Sequence, residues 1–381
     1  MDDLRPVQTP PVDERPELHV RTRRAGMLTE VYVTAAPAPA SATAERFGQI
    51  AALLHQLDAR LLHERIFAQS DDLERLQAER RTAYGELEDG VAPTWLLSPE
   101  GRQGALAGVL VHAIAGASPS ALGGHGRLLR WDGGGLITIS GLCSEDPGGA
   151  AELSGRAEAV FAQASALLRR GGSTPRQLGR TWLWLDRMHA CYDDLNRART
   201  RFFIEEGLVG ADGVPVHLPA STGIGVRPAA GSTRTAHLGL DAVASAGGSP
   251  PTAWLALGNQ GSAFAYGSAF SRASRLQAPG GDTVYVSGTA AVDGAGRTVS
   301  GGDAEGQLRA AVDNVRAVLR DLGLREQDVV QGVVYAVSEA VAELWRRRSP
   351  TWPVAVVLAD ICRPDLLLEI EVTACPGAVP R

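Results

Sequence analysis

Glu30-Val-Tyr-Val-Thr34, Leu136-Ile-Thr-Ile-Ser140 and Thr283-Val-Tyr-Val-Ser287 are three renderings of one buried strand. The three copies also share the order of their later segments. A helical stretch comes next, over 44–57, 158–170 and 304–321. A second strand succeeds it as Glu64-Arg-Ile-Phe67, Thr181-Trp-Leu-Trp-Leu185 and Gly332-Val-Val-Tyr-Ala336. A second helix is expected near 71–84, 192–206 and 338–348, then a proline with an apolar strand. Each copy closes on another strand, over 107–114, 235–242 or 366–374. The period of roughly 110–125 residues is far above the about 20–50 of a solenoid unit. It describes three small α/β units fused in one chain.

The strands are rich in Val, Ile, Leu and Tyr, as buried strands are. In the helix of the third copy, Leu308, Ala311, Val312, Val315, Val318 and Leu319 share one face, with Arg309, Asp313, Arg316 and Arg320 opposite. Such a helix packs on one side of a sheet. Helices on one face only define an α+β sandwich. The other face of each sheet is still apolar, and three sheets meeting in a ring would bury it. Pro10, Pro11 and Pro16 among charges mark residues 1–25 as an extended lead-in. Segments 116–128 and 244–252, rich in Gly, Ser and Pro, read as linkers. The expected units are 26–125, 126–250 and 251–381.

Composition removes whole classes of function. The 381 residues are 44% hydrophobic and 21% charged, ordinary for a soluble protein of two or three domains. A net charge of −6 gives no field that draws nucleic acid or an anionic membrane. No apolar run approaches the about 18 residues of a membrane span. The start, Met-Asp-Asp-Leu-Arg-Pro, is too acidic for a secretory signal. Cys143, Cys191, Cys362 and Cys375 lack CxxC spacing and fit free thiols in a reducing cytosol. No acidic or His/Cys cluster has metal spacing, and no GxGxxG follows a strand, so neither metal nor cofactor is expected. The chain contains no lysine; all 37 basic residues are arginine. Schiff-base chemistry and a phosphate-loop lysine are thereby closed. Anions must be held by guanidinium forks.

The richest segment for chemistry is Asp360-Ile-Cys-Arg-Pro-Asp-Leu-Leu-Leu-Glu-Ile-Glu-Val-Thr-Ala374. Glu369 and Glu371 point to one side of an apolar strand. The other copies have Gly239 and Leu110 opposite Glu369, and Asp241 and His112 opposite Glu371. A carboxyl at that place in one copy only points to a single cleft, where burial would let it hold a proton near neutrality. For Glu371 a solvated edge position is an equal alternative. Arg363 is either an anion clamp or half of a surface pair with Asp360 or Asp365. Cys362 lies in an apolar run and reads first as a small hydrophobe. Tyr192, Asn196, Arg199 and Phe203 share one helical face that mixes aromatic bulk with an amide and a guanidinium, suiting the wall of a carboxylate-binding cleft. Ser221 and Thr222 add hydroxyls at a flexible turn. Gly267-Ser-Ala-Phe-Ser-Arg-Ala-Ser274, with Arg272 and Ala273, leads to the small residues of Val286-Ser-Gly-Thr-Ala290, where a ligand could approach the backbone.

The third copy resembles a RidA/YjgF-type domain in Val-Ser-Gly-Thr, Gln307, Asn314, Pro353, Cys-Arg-Pro and Leu-Glu-Ile-Glu. With Thr-Trp-Leu-Trp-Leu, Asn-Arg-x-Arg-x-x-Phe-Phe and Pro-Ala-Ser-Thr-Gly-Ile-Gly, the whole chain is similar to the chorismatase family over roughly residues 28–376. The resemblance implies three RidA-like (chorismate-mutase-like) units in an intramolecular pseudo-trimer. It implies removal of the enolpyruvyl group of chorismate as pyruvate, without cofactor, in natural-product synthesis. It puts the catalytic acid on Glu369 and an anion-binding arginine on Arg363, with Arg199, Tyr192 and Thr222 in the cleft. Cys362 falls on a position associated with the subtype that forms 3-hydroxybenzoate. Ala273 departs from that subtype's glycine and keeps the hydrolytic, dihydrodiol-forming route open. RidA-like imine deaminases and non-catalytic binding modules are the readings from other classes. Self-association is allowed but not required.

Overall fold

The computed structural model describes residues 17–69, 72–98, 105–144, 153–230, 234–235 and 237–381. The first unit runs β1 (Leu18–Ala25), β2 (Leu28–Ala35), α1 (Thr43–Gln56), β3 (Ala59–Ala68), α2 (Leu73–Tyr84), β4 (Thr94–Leu97) and β5 (Leu106–Ala115). The second runs β6 (Ser120–Ala121), β7 (Gly126–Trp131), β8 (Gly134–Cys143), α3 (Leu153–Arg170), β9 (Leu178–Leu185), α4 (Met188–Glu205), β10 (Ala220–Ile224), β11 (Arg227–Ala230), β12 (Arg234–Thr235) and β13 (Leu238–Ser245). The third runs β14 (Thr252–Trp254), β15 (Ala273–Ala278), β16 (Gly281–Ala290), α5 (Ala304–Asp321), β17 (Val329–Ala336), α6 (Glu339–Arg348), β18 (Val354–Leu358), β19 (Leu368–Ala374) and β20 (Val379–Pro380).

The three sheets share one strand order: β4-β3-β5-β2-β1, β10-β9-β13-β8-β7 and β18-β17-β19-β16-β15. In each, the second helix carries the chain between two parallel strands, and the closing strand slots antiparallel into the centre. Sheet alternation then divides the core. Val334 and Ala336 join the helices of the third unit, while Val333 and Tyr335 face inward. Leu183 and Leu185 likewise face helices, and Trp182 and Trp184 face inward. The inward faces of all three sheets merge into one central core, as period-two strands buried on both sides require. This is the intramolecular pseudo-trimer expected of an α+β chain with three such units.

Several boundaries differ from those expected. The supposed lead-in, residues 1–25, supplies β1 from Leu18 on, paired with β2 along its whole length; residues 1–16 lie outside the described part. Its arginines disguised it, since Arg23 is buried against Glu30 at 3.0 Å. Segment 116–128 holds β6 and the start of β7, and segment 244–252 holds the end of β13 and the start of β14. The closing strand of the second unit begins at Leu238 rather than 235, because Thr235 belongs to β12. β11 and β12 leave their own unit and extend the first sheet beyond β4, and β20 of the third unit caps it at β1. Both edges of that sheet are thus covered by neighbouring units. No helix is long and apolar enough to cross a membrane among the described residues.

The seams between units are polar and fully enclosed. Glu371 receives Arg65 Nη1 at 2.7 Å from the first unit, and Arg180 Nη2 at 2.6 Å and Trp182 Nε1 at 2.9 Å from the second. Those guanidiniums also lie over the Trp182 ring, at 4.4 and 4.6 Å from its centre. Asp241 bonds His63 Nε2 at 3.1 Å and Thr94 Oγ1 at 2.8 Å across the next seam. Glu30 bonds His112 Nε2 at 3.0 Å and accepts from Gly280 N at 2.9 Å in the third unit. The solvated edge position considered for Glu371 is therefore wrong: β19 is a central strand and Glu371 is buried.

Candidate active site

Closing strands and parallel edge strands meet three times around the pseudo-threefold axis. Two of these meetings are closed. At Gly239 of β13 a Cβ would lie 2.9 Å from Pro228, and at Gly108 of β5 one would lie 2.8 Å from the Ala355 side chain. The third, between β19 and β10, keeps a cavity. Glu369 lies in its wall, across β19 from Ala290 and Tyr335.

The pairing of β16 with β19 shifts register between Val286 and Thr289, which places Gly288 at an irregularity beside Glu369. A Cβ on Gly288 would lie 1.8 Å from Glu369 Oε1. The small residue predicted to admit a ligand to the backbone therefore admits the carboxyl itself. Gly288 N donates to Thr222 Oγ1 at 3.0 Å, and Thr222 also takes a hydrogen bond from Arg180. Burial pushes the Glu369 carboxyl up to about 8, helped by ionised Glu371 and opposed by Arg180, Arg272 and Arg363. Burial acts on Glu371 in the same sense, but Arg180 and Arg65 outweigh it and hold this carboxyl below its ordinary value. One strand thus offers a neutral acid and, two residues on, a fixed anion.

Helix α4 forms the opposite wall. Arg199 is buried there; Nη2 donates to Asn196 Oδ1 at 2.6 Å and Nη1 to Ser221 Oγ at 3.5 Å. Its Nε is buried with no partner in the protein. The Tyr192 phenol lies beside Arg199, Ser268 and Cys362, and burial raises its pKa above the ordinary tyrosine range. Phe203, on the same helical face, packs instead with Leu208, Leu218 and Ala269. Two further arginines come from the third unit. Arg272 Nε donates to Gly261 O at 2.9 Å, and its Nη2 reaches the Tyr266 hydroxyl. Arg363 Nη1 donates to Gly296 O at 2.6 Å, in place of the surface pair with Asp360 or Asp365. Aromatic rings space these cations. Phe270 lies 5.7 Å from Arg199 and 5.5 Å from Arg272; Tyr266 lies 5.6 Å from Arg272 and 5.4 Å from Arg363. The Cys362 thiol is pushed up to about 12 by burial and by Glu369, so it stays a thiol.

The cavity brings together Glu369, Cys362, Arg363, Arg199, Tyr192, Ser221 and Arg272 from the sequence-predicted set. Asn196 stands behind Arg199, and Thr222 behind Gly288. Ala273 is misplaced in that set. It pairs with Val286 and Trp254 on β15 and is buried in the helix-facing core of the third unit, because its neighbour Arg272 takes the cavity face. Sequence reading missed Gln260 and Tyr266 as lining residues and Arg180 as the link between the two glutamates, whereas Ser268, Phe270 and Gly288 lie in the two stretches it marked. Arg180 carried a signal, being the one charge in the apolar strand Leu178-Gly-Arg-Thr-Trp-Leu-Trp-Leu185.

Comparison with known proteins agrees with this architecture. Residues 262–375 match the family described as Endoribonuclease L-PSP. A crystal structure of a chorismatase at 1.08 Å resolution superposes with a TM-score of 0.58, covering 83% of this chain and 93% of that one at 23% identity. The fold is that of a chorismatase. Sequence likeness is local: a chorismatase from Streptomyces hygroscopicus is 37% identical over 116 residues, 27% of this chain and 33% of that protein. The match thus spans about a third of the length of that curated relative. The crystallised YjgF gene product of E. coli covers 33% of this chain at 21% identity, with a TM-score of 0.25.

Proposed function

We propose that this protein is a chorismatase that releases the enolpyruvyl group of chorismate as pyruvate and forms 3-hydroxybenzoate. The observation that carries the proposal is a buried carboxyl, pushed up to about 8 by that burial, in one cavity with three arginines. Chorismate is a small dianion, and guanidinium forks suit its carboxylates. Arg199 and Arg363 are the binding pair in this reading, with Arg272 flanking the side chain. Tyr192, Ser221 and Ser268 supply neutral hydrogen bonds, Asn196 holds Arg199 in place, and Thr222 holds the Gly288 backbone against the acid.

Glu369 donates its proton to the methylene carbon of the enolpyruvyl group, which becomes the methyl of pyruvate. The resulting oxocarbenium ion weakens the bond between ring carbon and ether oxygen. The neighbouring ring hydroxyl takes that carbon as the ether oxygen departs in the pyruvate carbonyl. Its proton returns to Glu369 and leaves an epoxide across the two ring carbons. The oxygen's bond to the carbon that first bore it then breaks. The carbon that now carries it loses its hydrogen as a proton, the oxygen takes up a proton, and the ring aromatises. No water is consumed. Fixed Glu371 offsets developing positive charge at no cost in reorganisation.

Two observations support the aromatic product over the hydrolytic diol. The Cys362 thiol lines the cavity and is weakly polar, a poor anchor for an attacking water. Ala273, whose methyl was the feature favouring hydrolysis, is turned into the helix-facing core. Product analysis after turnover in ¹⁸O-water tests the assignment. Unlabelled 3-hydroxybenzoate is expected; a non-aromatic diene diol as main product would replace this route with hydrolysis.

A further inference from the structure

Gln260 lines the cavity and is only 4% exposed. The tight turn that carries it is rigid: Leu257 and Gln260 exchange backbone hydrogen bonds at 3.2 and 3.3 Å. Gly258, at φ +62°, presses this turn onto α5, where a Cβ would lie 3.0 Å from Val318 N. The amide is pinned as firmly. Nε2 donates to Ala290 O at 3.4 Å and to Val292 O at 3.3 Å. Asn314 Nδ2 donates to the same two carbonyls at 3.0 and 3.2 Å. Swapping the Gln260 amide would set its oxygen against two carbonyl oxygens, so the orientation is settled. Oε1 is consequently turned away from them, and it is buried with no partner in the protein. A buried acceptor without a donor is costly, so such an oxygen calls for an explanation.

The cavity's other polar groups cannot take its place. Arg199, Arg272 and Arg363 only donate, and suit anions. Tyr192, Ser221 and Ser268 are hydroxyls that can turn either way. Gln260, in the wall of a cavity that three arginines also line, is a fixed neutral side chain whose free acceptor is complementary to a neutral donor rather than to a carboxylate. We infer that Gln260 accepts a hydrogen bond from the ring hydroxyl of the substrate and makes this site selective for a hydroxylated ring acid. The inference rests on the chorismatase reading. A carbonyl aimed at the hydroxyl directs its lone pairs toward the neighbouring ring carbon, the geometry the aromatising route needs. A site built to pair a hydroxyl rejects the analogue that lacks it, because its own polar group is left bare.

Binding to the Glu369→Gln protein, whose turnover is expected to be slow on the timescale of the measurement, provides the test. Calorimetry compares chorismate with the same molecule lacking its 4-hydroxyl. Chorismate is expected to bind ~10–100-fold more tightly. In Glu369→Gln/Gln260→Met the two should bind within about threefold of each other, since Met keeps the length but offers no comparable acceptor. Equal affinities in the single variant overturn the inference even where the double variant does not fold. Discrimination that survives Gln260→Met overturns it too, and leaves the chorismatase reading standing. Chorismate that neither binds the single variant nor is consumed by the unsubstituted protein brings down that reading and this one together.

Discussion

Glu369 and Glu371 sit two residues apart on one face of β19, yet their surroundings shift them in opposite directions, the first up to about 8 and the second below the ordinary carboxylate value. Glu371 is ionised because Arg65 and Arg180 hold it, and its charge helps to keep Glu369 protonated. In the proposed reaction the working form is then the acid form of Glu369. kcat/KM should fall as pH rises through about 8, read from a pH–rate profile with chorismate. A profile flat to well above that value would remove Glu369 from the acid role. Arg199→Leu and Arg363→Leu should each weaken chorismate binding by ~10–100-fold, the worth of a charge-assisted hydrogen bond. Melting temperatures should move far less, and unchanged affinity in both variants would place the substrate elsewhere. At this scale much could be seen in the sequence. Glu369 stood out as a carboxyl set opposite Gly239 and Leu110 in the aligned copies; the register puts Gly108 in place of Leu110, which still leaves no carboxyl there. Gln260 and Tyr266 did not, because a turn residue and a loop tyrosine have no periodicity to betray which way they face.

The elements that make the site are a central strand, an irregular neighbour and a crossover helix. β16 shifts register against β19 just where Gly288 meets Glu369, and such irregularities re-aim side chains at functional sites. Gly288→Ala should therefore drive the carboxyl off its seat. A loss of at least ~10-fold in kcat is expected, with substrate affinity and melting temperature little changed, given how steeply turnover depends on placement. Unimpaired turnover by Gly288→Ala would show that the acid does not need this seat. The helices and inner strands were readable because α5 and its counterparts carry an unbroken apolar stripe. β1 and β15 were not. Buried Arg23 in β1 and Arg272 just before β15 give these segments the look of polar surface; Glu30 neutralises the first of them, and the Asp282 carbonyl and Thr283 hydroxyl of the third unit take its other hydrogen bonds.

Across the whole molecule, three equivalent seams have diverged into one site and two structural joints. The equivalence of Glu371 and Asp241 on two of the closing strands was visible in the aligned repeats, but the register puts Leu110 rather than His112 at the third place, since Arg65 pairs with Leu110 as Trp182 pairs with Asp241 and Val333 with Glu371. The partners of the first two were not, since Arg65 and His63 reach Glu371 and Asp241 only after the ring closes. Glu371→Gln strands two buried guanidiniums, so denaturant unfolding should show a loss of ~3–5 kcal/mol. The Glu371 carboxyl is held below its ordinary value, so its contribution is present above the unfolded carboxylate pKa and fades as pH falls through the folded one. The gap between variant and parent should accordingly narrow in acid. A gap that is small or independent of pH would mean that the seam is held by its apolar core alone.

The central claim is that this one cavity protonates the enolpyruvyl group of chorismate through Glu369. Pyruvate release from chorismate, followed continuously for the unsubstituted protein and for Glu369→Gln side by side, tests it most directly. One pyruvate per chorismate is expected from the former, and a rate lower by ~10²–10⁴-fold from a folded Gln variant. Absence of pyruvate from the folded, unsubstituted protein, or near-equal rates in the two, would contradict the account.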